Sequence, residues 1–133
     1  MDKKQILVVD DEPNLLVTYR MILQRQGFLV DVAISSEEAR RCIDSVKIDL
    51  LLCDLSLERQ ESGFAVIEYA RQKYPTVPAV LLTGYATREA TDWADQHDIP
   101  VLFKPIEIEQ LLETIARFIK TEGGPNGSRP TNQ

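Results

Sequence analysis

The chain has 133 residues, a length that suits one domain with its own hydrophobic core and is short for two. Its formal net charge is -6, from 15 basic and 21 acidic residues. We therefore expect no direct nucleic acid binding, since that needs a basic face. No apolar run approaches the length of a membrane span, and no secretory signal is recognisable. These features predict a cytoplasmic protein whose two cysteines, Cys42 and Cys53, are reduced.

Short apolar runs alternate with amphipathic runs along the chain, which predicts alternating strands and helices. The predicted strands are residues 5–10, 28–33, 49–54, 78–83 and 101–103. The predicted helices run from Pro13 to an end at Gly27, from the capping box Ser35–Glu38 to about Asp44, from Gly63 to about Lys73, from Thr87 to about Gln96, and from about Glu107 to Thr121. Five strands and five helices in this order predict a doubly wound α/β fold with a parallel sheet covered on both faces. Residues 1–121 are expected to form this domain, and residues 122–133, which have little to bury, a disordered tail or linker.

Polar residues close four of the apolar strands. Asp10 and Asp11 come at the end of the first strand, Asp54 ends the third, Thr83 ends the fourth and Lys104 follows the fifth. Because sites in doubly wound folds lie beyond the carboxyl ends of the strands, we expect these residues to share one rim. Three carboxylates suit Mg²⁺, which favours oxygen ligands and shares them with phosphate. Lys104 can neutralise carboxylate charge and hold a phosphoryl oxygen, and Thr83 can donate a hydrogen bond to another.

Other catalytic arrangements are missing from the sequence. The single histidine, His97, lies on a predicted surface helix, so no Ser-His-Asp arrangement is possible. The six glycines are not spaced as a P-loop or a dinucleotide-binding fingerprint. The chemistry that remains is a carboxylate nucleophile with a divalent metal, and its natural product is an aspartyl phosphate.

The ordered set Asp10–Asp11, Asp54, Thr83–Gly84 and Phe103–Lys104–Pro105 resembles the CheY-like receiver domain of two-component response regulators. The resemblance covers residues 5 to about 120. It implies the flavodoxin-like strand order 2-1-3-4-5, for which a receiver is a known example. It also implies a lysine–proline bond that is commonly cis.

The resemblance further implies a role for each residue of the rim. Asp54 matches the phosphoacceptor that takes a phosphoryl group from a histidine kinase. Asp11 matches the direct Mg²⁺ ligand, Asp10 its partner, and the backbone carbonyl of Ser56 a further protein ligand. Thr83 and Lys104 match the pair that contacts the phosphoryl group and transmits the change.

Partners and activity follow from the same resemblance. The expected partners are a sensor histidine kinase or phosphotransfer protein and a downstream effector protein or output domain, with a phosphorylation-dependent homodimer as a further option. The face built from the fourth helix, fifth strand and fifth helix is the usual output surface of the family. The domain would catalyse its own phosphorylation and dephosphorylation and no other reaction.

The sequence departs from the family pattern on the output side. Val101 stands where receivers carry a switching aromatic residue, and Pro100 precedes it where glycine is common. The loop after Asp54 has Glu58 in place of a proline, and its glycine, Gly63, comes one residue late. These departures motivate an alternative, a pseudo-receiver that interacts with partners without phosphorylation.

A third hypothesis is a metal-dependent phosphatase, and further expectations concern the side chains of Cys53, His97 and Trp93. A phosphatase with an aspartate nucleophile normally carries a second acid two residues after the nucleophile. Ser56 occupies that position here, which counts against this hypothesis. Cys53 is expected to be a small core residue, and His97 a solvated surface residue. Trp93 is expected to pack against the sheet, with a position facing a partner as the alternative.

Overall fold

The computed structural model describes residues 3–57 and 62–119, which form a parallel sheet with helices on both faces. The strands are β1 (Gln5–Val9), β2 (Leu29–Ala33), β3 (Leu50–Asp54), β4 (Ala79–Thr83) and β5 (Val101–Phe103). The helices are α1 (Pro13–Arg25), α2 (Ser36–Ser45), α3 (Gly63–Lys73), α4 (Arg88–Gln96) and α5 (Ile108–Ala116). Within the described ranges, none of these helices is long and apolar enough to cross a membrane.

The sheet has the strand order β2-β1-β3-β4-β5, and every adjacent pair is parallel. Both the doubly wound fold and the order 2-1-3-4-5 are therefore confirmed. In the register of the sheet, Val9 pairs with Cys53 and Thr83 pairs with Phe103. This register places the carboxyl ends of β1, β3, β4 and β5 side by side.

Hydrophobic side chains form one core cluster on each face of the sheet. Successive residues of a strand point to opposite faces, so Leu7 and Leu51 join one cluster while Ile6 and Leu50 join the other. The first cluster includes residues of α2, α3 and α4, and the second includes residues of α1 and α5. Strands β3 and β4 are buried along their whole length, which explains their continuous apolar sequences.

The observed elements differ from the predicted ones mainly at their ends. Strands β1 to β4 are each one residue shorter than predicted, and α1 ends at Arg25, before Gly27. Helix α5 ends at Ala116, because the N–H group of Phe118 bonds Ile115 O at 2.9 Å and tightens the last turn. The predicted continuation is therefore wrong for residues 117–119, while residues 120 and 121 and the predicted tail, 122–133, lie outside the described residues.

The predicted capping box forms at the start of α2 with one change of partner. The hydroxyl of Ser35 accepts a hydrogen bond from the N–H group of Glu38 at 3.1 Å. The Glu38 carboxylate accepts from the N–H group of Ile34 at 3.0 Å, one residue earlier than the standard box.

The two cysteines are unpaired as predicted, and the indole of Trp93 packs against side chains of the helices on its face of the sheet. Cys42 and Cys53 are free thiols, and Cys53 is completely buried in the core. Trp93 is half-buried, but its ring centroid lies 4.1 Å from that of Phe64 on α3 and 4.2 Å from that of His97. The indole therefore packs between two helical side chains at the margin of the core.

Candidate functional site

The acidic end of β1 is anchored from two directions. Asp10 follows β1 directly, is completely buried, and donates its N–H group to Ala33 O at 3.1 Å. Its Oδ1 atom accepts the N–H group of Glu12 at 3.0 Å, and its Oδ2 atom accepts the ammonium of Lys104 at 2.6 Å. The carboxylate is held rigidly because both oxygens have a donor.

The last residue of β3 presents its carboxylate to the same place. Asp54 is 7% exposed, so it is largely but not completely removed from solvent. Its Oδ1 atom accepts the N–H group of Ser56 at 3.2 Å, and its Oδ2 atom lies 3.3 Å from Nζ of Lys104. The buried run of β3 carries this acid to the carboxyl edge of the sheet, beside Asp10.

One lysine bridges the two buried carboxylates. The Nζ atom of Lys104 lies 2.6 Å from Asp10 and 3.3 Å from Asp54, with the exposed carboxylate of Glu12 at 4.0 Å. The lysine backbone is fixed by its N–H group, which bonds Thr83 O at 2.7 Å, and the bond to Pro105 is cis. The cis bond agrees with the resemblance.

The three aspartates form a cluster that fits a hard divalent cation. One oxygen from each of Asp10, Asp11 and Asp54 lies within 4.8 Å of the others. Lys104 supplies one positive charge against these three acids, and no hydrogen bond or ion pair to the Asp11 carboxylate is found among residues 3–57 and 62–119. Clustered oxygen donors with excess negative charge are what Mg²⁺ prefers. The carbonyl of Ser56 stays a prediction as a further ligand.

The pKa shifts of Asp54 and Lys104 have their causes in burial and in the neighbouring charges. Burial raises the pKa of Asp54, Lys104 lowers it, and the charge of Asp10 raises it again, so the net shift is upward. Burial lowers the pKa of Lys104, but the hydrogen bond to Asp10 and the charges of Asp10 and Asp54 outweigh it and raise the pKa overall. Lys104 is therefore held charged, while the negative charge on Asp54 is incompletely compensated.

Thr83 lies at the end of β4 as predicted, but its hydroxyl is engaged elsewhere. The Oγ1 atom donates to Tyr85 O at 2.6 Å and accepts the N–H group of Tyr85 at 3.2 Å. Among the described residues, no hydrogen bond joins this hydroxyl to the aspartates or to Lys104. The structure thus brings together the predicted side chains of Asp10, Asp11, Asp54 and Lys104. The Thr83 hydroxyl instead bonds the backbone of Tyr85.

Gly63, which the sequence analysis treated as the start of a helix and as the late glycine of the loop after Asp54, lies against the backbone of the site. A Cβ atom at this position would lie 2.2 Å from the backbone oxygen of Asp54. The N–H group of Gly63 also bonds Leu55 O at 2.8 Å, and a bridge between Ser56 and Ser62 closes the same loop. One feature of the sequence could have indicated this close approach: Gly63 comes directly after the polar loop that follows Asp54.

Of the two departures from the family pattern, the one at Val101 lies within the described residues and the one in the loop after Asp54 lies partly outside them. Val101 opens β5, pairs with Leu81 and is half-buried against the core cluster. No aromatic ring therefore stands at this position. The altered part of the loop after Asp54 includes residues 58–61, which lie outside the described residues.

Fold and site together define a class of protein: a flavodoxin-like α/β domain with an acidic pocket at the carboxyl edge, bridged by one lysine. The model of the response regulator receiver domain family matches residues 6–116, most of the chain. The chain therefore belongs to the receiver domain family of response regulators.

Individual relatives agree with this assignment. The chain is 27% identical over 121 residues to the response regulator protein PilR of Pseudomonas aeruginosa, covering 90% of this chain and 27% of PilR. It is 31% identical to an uncharacterized 14.6 kDa protein of Leptolyngbya boryana, covering 85% of this chain and 88% of that protein. The chain thus spans about a quarter of the length of regulators such as PilR.

Solved structures show the same fold. A CheY-like receiver domain from Methanospirillum hungatei superposes with a TM-score of 0.81 at 29% identity, covering 87% of this chain and 93% of that one. The response regulator TrrA of Thermotoga maritima, solved in complex with Mg²⁺ and beryllofluoride, gives a TM-score of 0.76 at 31% identity. The matched parts are 87% of this chain and 99% of TrrA.

Proposed function

We propose that this receiver domain accepts a phosphoryl group on Asp54 in a reaction that depends on Mg²⁺, and that the phosphorylated form alters a partner surface. The observation that carries the proposal is the position of Lys104, whose ammonium is shared between Asp10 at 2.6 Å and Asp54 at 3.3 Å. A cation in this position stabilises the carboxylate before transfer and a phosphoryl oxygen after it.

The reaction is an in-line displacement at phosphorus. An oxygen of the Asp54 carboxylate attacks the phosphorus atom, a new O–P bond forms, and the bond between phosphorus and the donor histidine breaks. Lys104 offers a fixed positive charge to an oxygen of the transferred group, which lowers the barrier because the charge is already in place. The N–H group of Ser56, which bonds Asp54 Oδ1 at 3.2 Å, holds the carboxylate in position.

Asp10, Asp11 and Asp54 would hold the metal, with the Ser56 carbonyl as a further ligand. When bound, Mg²⁺ supplies compensation for the carboxylate charge and for the phosphoryl oxygens. The complex of the related TrrA with Mg²⁺ and beryllofluoride supports the same ligand class here. The excess of carboxylates over lysine in the cluster gives independent support.

The proposal also covers the partners, the cellular location, the activity and the domain bounds. The donor would be a histidine kinase or phosphotransfer protein, and the target an effector protein or output domain, in the cytoplasm. A domain of this kind acts on itself, through phosphorylation and dephosphorylation, and turns over no separate substrate. We assign it to residues 1–121, with 122–133 as tail or linker, and a phosphorylation-dependent homodimer stays a prediction. No observation on the described residues favours the pseudo-receiver or the phosphatase.

The proposal is tested by adduct formation. The protein is incubated with Mg²⁺ and a small phosphodonor such as acetyl phosphate, and its intact mass is recorded with and without a chelator. We expect one phosphoryl group that is lost with hydroxylamine and is missing from the Asp54→Asn variant. The matched control is Asp92→Asn, which replaces an exposed acid on α4 and should leave phosphorylation normal. A mass unchanged with several donors in the presence of Mg²⁺ would overturn the proposal and favour the pseudo-receiver.

A further inference from the structure

A cleft opens between the C-terminal parts of α3 and α4. Its volume is about 430 Å³, within the range of small-molecule sites in proteins. The side chains that line it come from both helices and are Ile67, Glu68, Arg71, Gln72, Trp93 and His97. Arg71 lies about 12 Å along α3 from Gly63, at 1.5 Å per residue, whereas Gly63 adjoins the backbone of Asp54. The cleft is therefore separate from the acidic pocket.

The guanidinium of Arg71 is held in this cleft by two backbone carbonyls. Its Nε–H group donates to Val77 O at 3.1 Å, and its Nη1 atom donates to His97 O at 3.1 Å. These bonds use two of the five N–H groups of a guanidinium. Among residues 3–57 and 62–119, the Arg71 side chain has no further hydrogen bond and no ion pair. Burial lowers the pKa of Arg71, although the more distant charge of Asp98 raises it. A fixed cation with three unused donors therefore faces the cleft.

An acid stands one helical turn from this guanidinium. Glu68 precedes Arg71 by three residues, a spacing that makes two side chains neighbours on a helix. Glu68 is exposed, and its carboxylate forms no hydrogen bond or ion pair with the part of the chain that the structure describes. A simple anion is disfavoured here because Glu68 repels it, and a simple cation is disfavoured because Arg71 repels it. The two charges suit a ligand that carries one charge of each sign.

The α4 side of the cleft is aromatic and fixed in position. The ring centroids of Trp93 and His97 lie 4.2 Å apart, with an angle of 22° between the planes. The imidazole donates from Nδ1 to Trp93 O at 2.8 Å, since a carbonyl oxygen can only accept. Ile67, from α3, belongs to the core cluster on this face of the sheet. Together these side chains give an apolar surface beside the two charged groups.

We propose that this cleft binds a free amino acid with an apolar side chain. The α-carboxylate accepts hydrogen bonds from the unused N–H groups of Arg71, a charge-assisted pairing that suits the planar guanidinium. The α-ammonium group donates to the carboxylate of Glu68, and the side chain lies against Ile67 and Trp93. A zwitterion satisfies both charges of the cleft at once. This inference goes beyond the proposed function and does not depend on phosphorylation of Asp54.

The position of Arg71 gives ligand binding a structural consequence. The carbonyls that it bonds belong to Val77, ahead of β4, and to His97, the C-cap of α4. A ligand on the remaining donors therefore contacts a residue that already joins α3 to both neighbouring elements. Because such a ligand binds the folded protein and not the unfolded chain, it should raise the melting temperature.

Titration of the unchanged protein with leucine, followed by fluorescence and by NMR, tests the proposal. Trp93 is the single tryptophan of the chain, so its emission reports on the cleft directly. We expect a saturable change at millimolar leucine, with shifts of the Trp93 indole and Arg71 Nε–H signals. Isocaproate lacks the ammonium group and isoamylamine lacks the carboxylate. Each should bind at least about tenfold more weakly, as loss of one charge-assisted hydrogen bond predicts.

Two substitutions locate the site. Glu68→Gln keeps the shape of an exposed side chain and should weaken leucine binding about tenfold. Arg71→Gln should weaken it at least as much, and circular dichroism checks its fold because Arg71 also holds two carbonyls. The matched control is Glu113→Gln, an exposed acid on α5, which should bind leucine as the unchanged protein does.

Three outcomes would overturn the amino acid site. The first is no saturable change of the Trp93 and Arg71 signals with either leucine or phenylalanine. The second is binding of isocaproate or isoamylamine as tight as that of leucine, which would show that a single charge suffices. The third is normal leucine binding by Glu68→Gln, a result that stands even if Arg71→Gln fails to fold. None of these outcomes bears on the phosphoacceptor proposal.

Discussion

The Nζ atom of Lys104 lies 2.6 Å from Oδ2 of Asp10, a contact that joins the ends of β5 and β1 across 94 residues of sequence. Asp10 is completely buried and the lysine side chain is 17% exposed, so water screens this pair weakly. A buried charge that loses its partner costs far more than an exposed one. The ion pair therefore couples the integrity of the pocket to the stability of the fold.

Replacing Lys104 should destabilise the domain strongly in the absence of metal. Lys104→Met keeps the aliphatic length but leaves Asp10, Asp11 and Asp54 without a neutralising side chain, and we expect a loss of about 3 kcal/mol in the free energy of unfolding. Urea denaturation in the presence of a chelator measures it. The exposed Lys47→Met is the control and should change stability by less than about 0.5 kcal/mol. A loss no larger than that of the control would mean that the buried pair contributes little.

Mg²⁺ should raise the melting temperature, because a divalent cation relieves the repulsion among the clustered carboxylates. Asp11→Asn should largely remove this gain, since it deletes the acid for which no protein partner is described. Without metal, the same variant should melt no lower than the unchanged protein, because one repulsive charge has gone. Differential scanning fluorimetry over a range of Mg²⁺ concentrations checks both expectations, with Asp92→Asn as the control. A full Mg²⁺ response in Asp11→Asn would exclude this residue as a ligand.

The raised pKa of Asp54 predicts how stability depends on pH. Because burial holds the pKa of Asp54 above its ordinary value, the folded protein binds this proton more tightly than the unfolded chain does. The contribution of Asp54 to stability is then present at low pH and is lost as the pH rises through the folded pKa. Asp54→Asn should therefore be more stable than the unchanged protein at pH 7 without metal, and the difference should shrink as the pH falls toward the ordinary carboxyl range. Urea denaturation at several pH values measures this difference, and a difference that grows toward acid pH would contradict the sign.

A methyl group at Gly63 should disturb Asp54, the proposed phosphoacceptor, more than one at Gly84. In Gly63→Ala the new Cβ atom would lie 2.2 Å from Asp54 O, so the backbone of the loop or of β3 must move. We expect a loss of about 1–3 kcal/mol, typical of overpacking, together with slower phosphorylation of Asp54. In Gly84→Ala the added atom has nothing within 4 Å, so stability should stay near that of the unchanged protein. Equal effects of the two substitutions on stability and phosphorylation rate would show that the close approach at Gly63 is unimportant.

Much of the fold was predictable because its signals are local. Alternating apolar and amphipathic runs predicted every strand and helix, and the Ser35–Glu38 pattern predicted the cap of α2. Errors fell at element ends, as at Ala116, where the last turn is decided by which carbonyl an N–H group reaches. Such a choice depends on a few tenths of an ångström and leaves little trace in hydrophobic periodicity.

The residues that reach the rim could be predicted from the order of residues alone, because an acid or a lysine at the end of a buried strand of a parallel sheet lies at the carboxyl edge. The pairing of their atoms could be read only from the three-dimensional arrangement, in which Lys104 is shared between Asp10 and Asp54 and the backbone of Gly63 lies against that of Asp54. The same holds for the Thr83 hydroxyl, which donates to Tyr85 and not into the pocket. The physical reason is that burial follows from the periodicity of nearby residues. The partner of each proton, in contrast, depends on atoms that only packing brings within hydrogen-bonding distance.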